Sequence, residues 1–279
     1  MVDPMMPQVV ILTGASSGIG EASALTLAEA GFTVYAGARR VDRMAGLAER
    51  GVTVAELDVT DEDSMVAFVD RVLADRGQVD VLINNAGYGS YGSVEDVPLD
   101  EARRQLDVNL FGLARMTQLV TPGMRAAGAG RIVNISSMGG HFGEALGAWY
   151  HASKFAVEGF SDSLRLELHE FGIRVILIEP GPIRTEWGDG AYDSAHKFSG
   201  GGVYGRQVKA MQALYAQAYR RGAEPRVIAE VIRDAVTAKR PRARYAAPFS
   251  AKAIIAAATL LPDRVLDAGV LAMMSRLGR

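Results

Sequence analysis

Short apolar runs and amphipathic stretches alternate along this chain. Residues 9–12 read Val-Val-Ile-Leu and end at a glycine-rich turn. Comparable runs recur at 33–37, 53–57, 79–83, 131–135, 174–178 and 244–247. Such short, near-continuous runs suit strands buried on both faces of a sheet. Between them, apolar positions take helical spacing: Met65, Phe68, Val69 and Val72 fall on one side of a helix predicted over 61–76. Further helices are predicted over 21–30, 43–50, 148–171, 207–221 and 225–237, with one or two over 99–127, where Pro122 bends the second. Gly31 and Gly51 stand where the first two helices must stop. The alternation predicts an α/β fold: a single doubly wound parallel sheet of about seven strands with helices on both faces.

The rhythm loosens between residues 186 and 205, where Gly200, Gly201 and Gly202 stand in a row. This stretch reads as a loop, and 186–222 as a candidate substrate flap. The tail, 245–279, is a C-terminal extension whose most apolar part is 253–261. Pro262, Asp263, Arg264 and Asp267 interrupt it, so it predicts an apolar helix on the protein or a surface, not a membrane span. Met273 and Met274 there suit core or subunit contact better than a substrate box. No repeat or linker divides the chain, which is expected to be one domain over residues 1–279.

Composition narrows the chemistry. The absence of cysteine excludes disulfides, thiolate catalysis and Cys-ligated zinc. His141, His151, His169 and His196 lack metal-ligand spacing, so no metal is expected. A formal net charge of −2 gives no field favouring nucleic acid. Residues 1–8 lack the basic start and apolar core of a signal peptide, and a cytoplasmic location is expected.

The turn Thr13-Gly14-Ala15-Ser16-Ser17-Gly18-Ile19-Gly20 follows the first strand and opens the first helix. Glycines there let a pyrophosphate approach the helix N-terminus, where free N–H groups favour an anion. Where a dinucleotide site selective for NAD places an acid, at the end of the second strand, this chain has Ala38, then Arg39 and Arg40. A guanidinium there pairs with a 2′-phosphate, so Arg39 points to NADP(H), with NAD(H) as the alternative. Tyr150 and Lys154 lie four apart on one helix face. The ammonium is expected to lower the phenol's pKa and fit Tyr150 for acid–base work. Ser137 lies just beyond the fifth strand, placed to bond a substrate oxygen. Asn109 is read either as a helix cap or as the holder of a water leading to Lys154.

With these motifs in order, the chain resembles the short-chain dehydrogenase/reductase family. Asp58-Val59, Asn84-Asn85-Ala86-Gly87 and Pro180-Gly181-Pro182-Ile183-Arg184-Thr185 complete the likeness. The resemblance implies a Rossmann-type fold and a hydride transfer between NADP(H) and a carbonyl or secondary alcohol. It implies a tetrad of Asn109, Ser137, Tyr150 and Lys154. It also implies that Gly14, Ser16, Ser17, Gly18, Ile19 and Gly20 hold the pyrophosphate, Asp58 and Val59 the adenine, and Asn85, Ala86 and Gly87 the middle of the cofactor. Tyr150, Lys154, Pro180, Gly181, Ile183 and Thr185 would flank the nicotinamide end. The tail loosely resembles the 17β-hydroxysteroid and retinol dehydrogenase branch. Two other readings are a non-catalytic dinucleotide sensor, which needs no tetrad, and a sugar-nucleotide epimerase, whose chain is usually longer. A homodimer or homotetramer is expected, as is an apolar small-molecule substrate, given Phe142, Leu146, Trp149, Trp187 and Tyr192 near the motifs.

Overall fold

In the computed structural model, which describes residues 8–277, the seven apolar runs form one parallel sheet. Its strands are β1 (Val9–Thr13), β2 (Thr33–Ala38), β3 (Thr53–Glu56), β4 (Val81–Asn84), β5 (Gly130–Ile135), β6 (Ile173–Pro180) and β7 (Arg244–Ala247). They lie in the order β3-β2-β1-β4-β5-β6-β7. The chain therefore builds outward from β1 in one direction, crosses back, and builds outward in the other. The crossover between β1 and β4 opens a crevice at the strands' C-terminal ends.

Successive strand residues face opposite sides of the sheet, which produces two cores. Val10, Leu12, Ile83 and Val133 pack on one side against Leu27 of α1 (Gly18–Glu29) and Ile228 and Ile232 of α9 (Pro225–Thr237). Val9, Ile11, Leu82 and Ile132 pack on the other against Phe68 and Val72 of α3 (Glu62–Arg76) and Met116 and Val120 of α5 (Leu113–Ala127). The other helices are α2 (Ala45–Ala48), α4 (Leu99–Leu106), α6 (Ala148–Glu167), α7 (Trp187–Ser199), α8 (Gly205–Arg220), α10 (Phe249–Leu260) and α11 (Asp263–Leu277). Helices α4 and α5 are joined by a π-helical turn, Asp107–Gly112, with Asn109 inside it. Gly112 is pressed onto the turn after β3: a Cβ there would come within 2.4 Å of the Val59 carbonyl.

Three expectations need correction. Residues 187–199, read as loop, are helical; α7 buries Ala191, Ala195 and Ser199, spaced four apart, and so small a buried face gives little hydrophobic signal. The tail is no core element. Ala251 is the buried residue of α10, and α11 rests on α8 beside the crevice. Arg244, which the sequence groups with Lys239, Arg240 and Arg242 as a short basic cluster at a solvated strand entry, instead bonds inward, to Glu158 and Asp162 of α6 and to Glu179 of β6. Among the described residues, no helix is long and apolar enough to cross a membrane.

Candidate active site

The glycine turn sits at the end of β1, wedged against neighbouring strand ends. Gly14 has φ +71°, and a Cβ there would lie 2.7 Å from the Ala86 Cα. A Cβ on Gly20 would lie 2.3 Å from the Gly14 carbonyl oxygen, and one on Gly18 2.9 Å from Thr185 Cγ2. Side chains would therefore fill the space that these glycines keep open at the end of β1. Asn85 holds the turn in place, its Nδ2 donating to the carbonyls of Thr13 and Gly14, both at 3.0 Å. Thr13 Oγ1 accepts from the backbone N–H groups of Asn85 and Ala86. Ser17, at the N-cap of α1, makes no side-chain capping bond, so the first-turn N–H groups of that helix remain available to an anion.

At the ends of β2 and β3 the wall turns basic. Arg40 reaches back to the turn, its Nη2 3.4 Å from Ser16 Oγ. Asp58 accepts from both the N–H and the hydroxyl of Thr60. Burial pushes its carboxyl up, but these bonds and the nearby charges of Arg39 and Arg104 more than offset it, leaving the pKa below the usual range. Arg43 makes a two-pronged ion pair with Glu186, at 2.6 and 2.9 Å, across the mouth of the crevice.

The Tyr150 and Lys154 side chains emerge from α6 onto the end of β5. Lys154 Nζ donates to the Ile135 carbonyl at 2.9 Å and lies 5.9 Å from the Tyr150 ring centre. Burial pushes its pKa down to about 8, against the upward pull of Glu158. Burial also dominates Tyr150, raising its pKa well above the usual value; the Ser137 hydroxyl pulls the other way and Glu144 adds to the rise. Lys154 is not among the groups that set this shift, so the expected lowering by its ammonium is replaced by a rise that burial drives. Asn109 is fully engaged within the protein. Its Oδ1 accepts from the Tyr88 N–H, and its Nδ2 donates to the Tyr88 carbonyl and to Ser153 Oγ, each at 3.0 Å. It supports the loop after β4 from below. Gly87 lies between it and Lys154, and a Cβ there would sit 3.2 Å from Asn109 Oδ1 and 3.8 Å from Lys154 Nζ.

One cleft of about 1530 Å³ is lined by every sequence-predicted site residue except Asn109, which lies behind its wall. The cleft also takes in residues that carry no motif. Tyr91, Trp187, Tyr215 and Tyr219 close around Tyr150, with the Trp187 and Tyr150 ring centres 5.0 Å apart. Ile254, Leu261, Val265 and Met273 of the tail extend the apolar wall. Only the tail's apolar composition could have signalled them, and it points equally to core.

At the cleft wall His141 Nε2 lies 2.9 Å from Glu179 Oε1 and 4.0 Å from Glu158. The bond to Glu179 raises the histidine's pKa despite its burial. These three side chains are close enough to share a metal ion. Arg244 already supplies positive charge there, with guanidinium nitrogens 3.0 Å from Glu158 and 3.3 Å from Glu179. The cluster therefore reads as an internal ion-pair network.

Comparison with known proteins gives the family. The family described as short chain dehydrogenase matches residues 8–194. A Helicobacter pylori protein described as a probable short-chain type dehydrogenase/reductase, VdlC, is 34% identical over 259 residues, covering 93% of this chain and 95% of its own. The 3-ketodihydrosphingosine reductase of Bacteroides thetaiotaomicron is 42% identical over 185 residues, covering 66% of this chain and 67% of its own. Among solved structures, an alcohol dehydrogenase from the archaeon Thermococcus sibiricus, complexed with 5-hydroxy-NADP, superposes with a TM-score of 0.70. It is 26% identical, with 86% of this chain and 95% of that one covered. The chain belongs to the short-chain dehydrogenase family and is an oxidoreductase that uses a nicotinamide dinucleotide on small-molecule substrates.

Proposed function

We propose that this enzyme reduces an apolar ketone or aldehyde with NADPH, with Tyr150 giving the proton to the substrate oxygen. The observation that carries the reading is the meeting of Tyr150, Ser137 and Lys154 in the same cleft as the glycine turn. A nicotinamide dinucleotide held in this cleft would supply the hydride for the carbonyl carbon. Burial keeps the Tyr150 phenol protonated at neutral pH, the form a general acid needs. The Ser137 hydroxyl bonds the oxygen as charge develops on it. Lys154 holds the ribose next to the nicotinamide and offers positive charge beneath Tyr150. Asn109 acts through the Tyr88 backbone, holding the floor of the site. The turn from Gly14 through Ser16, Ser17, Gly18 and Ile19 to Gly20 cradles the pyrophosphate. Asp58 and Val59 meet the adenine. Asn85, Ala86 and Gly87 run beneath the cofactor's middle, and Pro180, Gly181, Ile183 and Thr185 flank its nicotinamide end. Residues 186–222 serve as the substrate flap and 245–279 as an extension of the same domain. An apolar substrate is supported by the aromatic wall around Tyr150 and by the apolar tail beside it.

Preference for NADPH rests on Arg39, with Arg40 added by its position over Ser16. A hydrogen bond to a charged group is worth about 1.5–3 kcal/mol, so losing one lowers selectivity roughly 10- to 100-fold. Arg39→Ala and Arg40→Ala should each lower kcat/KM with NADPH far more than with NADH. An unchanged NADPH/NADH ratio in both variants overturns the assignment of these strand-end residues while leaving hydride transfer intact.

The reading includes a homodimer at least. On α6, Phe155, Gly159 and Leu166 form an exposed stripe, and no atom lies near the space a Gly159 side chain would take. Phe111, in the π-helical turn, is exposed as well. Closed pairing of such faces is the common way to cover them. Light scattering at micromolar concentration should give at least twice the chain mass of 29.8 kDa, and a monomeric mass would refute the dimer.

A further inference from the structure

Glu144 is a charged group in the cleft wall for which hydride transfer has no use. It lies in the segment between the fifth strand and α6, close to the reacting centre. Its Oε2 accepts a hydrogen bond from the Tyr215 hydroxyl at 3.0 Å. The rings of Tyr91, Tyr150, Trp187, Tyr215 and Tyr219 pack together beside it, with neighbouring centres 5.0 to 6.4 Å apart. Among the described residues, no lysine or arginine nitrogen comes within ion-pair distance of this carboxylate.

The group nearest to a counter-charge is His151, whose Nε2 lies 3.8 Å from Glu144 Oε2. The other ring nitrogen, Nδ1, faces the Gly139 carbonyl at 2.8 Å and therefore carries a proton. In the neutral ring Nε2 is then an acceptor, and it has no hydrogen-bond partner although His151 is 5% exposed. Two acceptors, one of them anionic, thus share one aromatic-walled space that holds no matching cationic donor. The Tyr215 hydroxyl meets the Glu144 carboxylate only as a neutral donor and His151 Nε2 has no donor at all, so a half-buried charge without a cationic partner and an orphaned nitrogen both remain costly. A positive donor satisfies both, and tyrosine and tryptophan faces attract it further. An anionic substrate group would be repelled.

We propose that Glu144 and His151 form a subsite for an ammonium group carried beside the reacting carbonyl, so that the substrate is an amino ketone with an apolar tail. The inference rests on the carbonyl-reductase reading and narrows its substrate class. Glu144 and Tyr150 line the same cleft, and the carboxylate adds to the rise in the Tyr150 pKa that burial dominates. Beyond the aromatic box the wall continues through Leu214, Leu261, Val265, Leu266 and Met273, which suits an alkyl tail.

The test compares two ketones of equal chain length, one with an amino group and one with a methyl group on the carbon next to the carbonyl. With NADPH, wild-type enzyme should prefer the amino ketone in kcat/KM by about 10- to 100-fold, the range for a charged hydrogen bond. Glu144→Gln should bring that ratio close to one. Octylammonium should inhibit reduction of the neutral ketone competitively in wild type, and octanol should inhibit far less. A ratio that is the same in both proteins, or near one in wild type, overturns the subsite while carbonyl reduction stands. If neither ketone is reduced, the underlying reading fails, and binding of octylammonium against octanol, followed by tryptophan fluorescence, still judges the subsite. That wild-type comparison also decides the matter if Glu144→Gln does not fold, with equal binding of the two ligands counting against the proposal.

Discussion

Replacing Tyr150 with phenylalanine should lower kcat by about 10²-fold or more while the protein still binds its dinucleotide. The substitution keeps the ring, which packs 5.0 Å from Trp187 and 5.6 Å from Tyr91, and removes only the hydroxyl. Because the phenol is buried and its pKa is raised, it holds its proton through neutral pH. Steady-state kinetics on any accepted ketone, with cofactor binding followed by nicotinamide fluorescence, makes the check. Near-normal turnover in this variant would remove Tyr150 from the chemistry.

Lys154→Met should lose activity on a similar scale, yet fold into a more stable protein at neutral pH. Burial lowers the lysine's pKa from 10.5 to about 8, so below pH 8 the folded chain carries a charge it would rather shed. That handicap is on the order of 3 kcal/mol. It fades as pH rises from 8 to 10.5, because over this range the unfolded chain still binds the proton and the folded chain does not. Methionine removes the handicap at every pH but leaves the Ile135 carbonyl without its donor, a loss of about 1 kcal/mol. The variant's advantage in urea denaturation should therefore be roughly 2 kcal/mol at pH 7 and shrink toward pH 10.5. An advantage that is absent at pH 7, or constant across this range, would show that the buried ammonium carries no such strain.

How much of this was legible beforehand depended on how local the cause was. The turn from Thr13 to Gly20 could be read because its glycines answer to a backbone path set within a few residues. Tyr150 and Lys154 could be paired because a helix brings positions four apart onto one face. The strands announced themselves as apolar runs because the sheet is covered on both sides. Helix α7 could not be read, since its buried face is Ala191, Ala195 and Ser199 and the glycines near it suggest a loop. Arg244 was unreadable for a different reason: its partners come from α6 and β6, far away in sequence. Asn109 was recognisable as a residue, but its bonds to Tyr88 and Ser153 depend on a π-helical turn that no sequence period marks. Glu144 belongs to no motif, and only the packing of five aromatic rings around it gives it meaning.

The pairing of β1 with β4 joins Val10 to Val81, with β2, β3 and their helices between them in the chain. During folding that closure costs chain entropy before any contact across it can repay, so the two halves of the sheet are expected to meet late. The cleft opens along this seam, with Gly14 on one side and Ala86 on the other. A ligand lying there recognises only chains whose halves have already joined. Its binding energy therefore counts toward folding: at a hundredfold excess over Kd it adds about 2.7 kcal/mol. A cofactor held by the proposed site would in this sense be a strut across a late-closing join of the molecule as well as a reagent, and depletion of the dinucleotide pool would then loosen the enzyme as well as idle it.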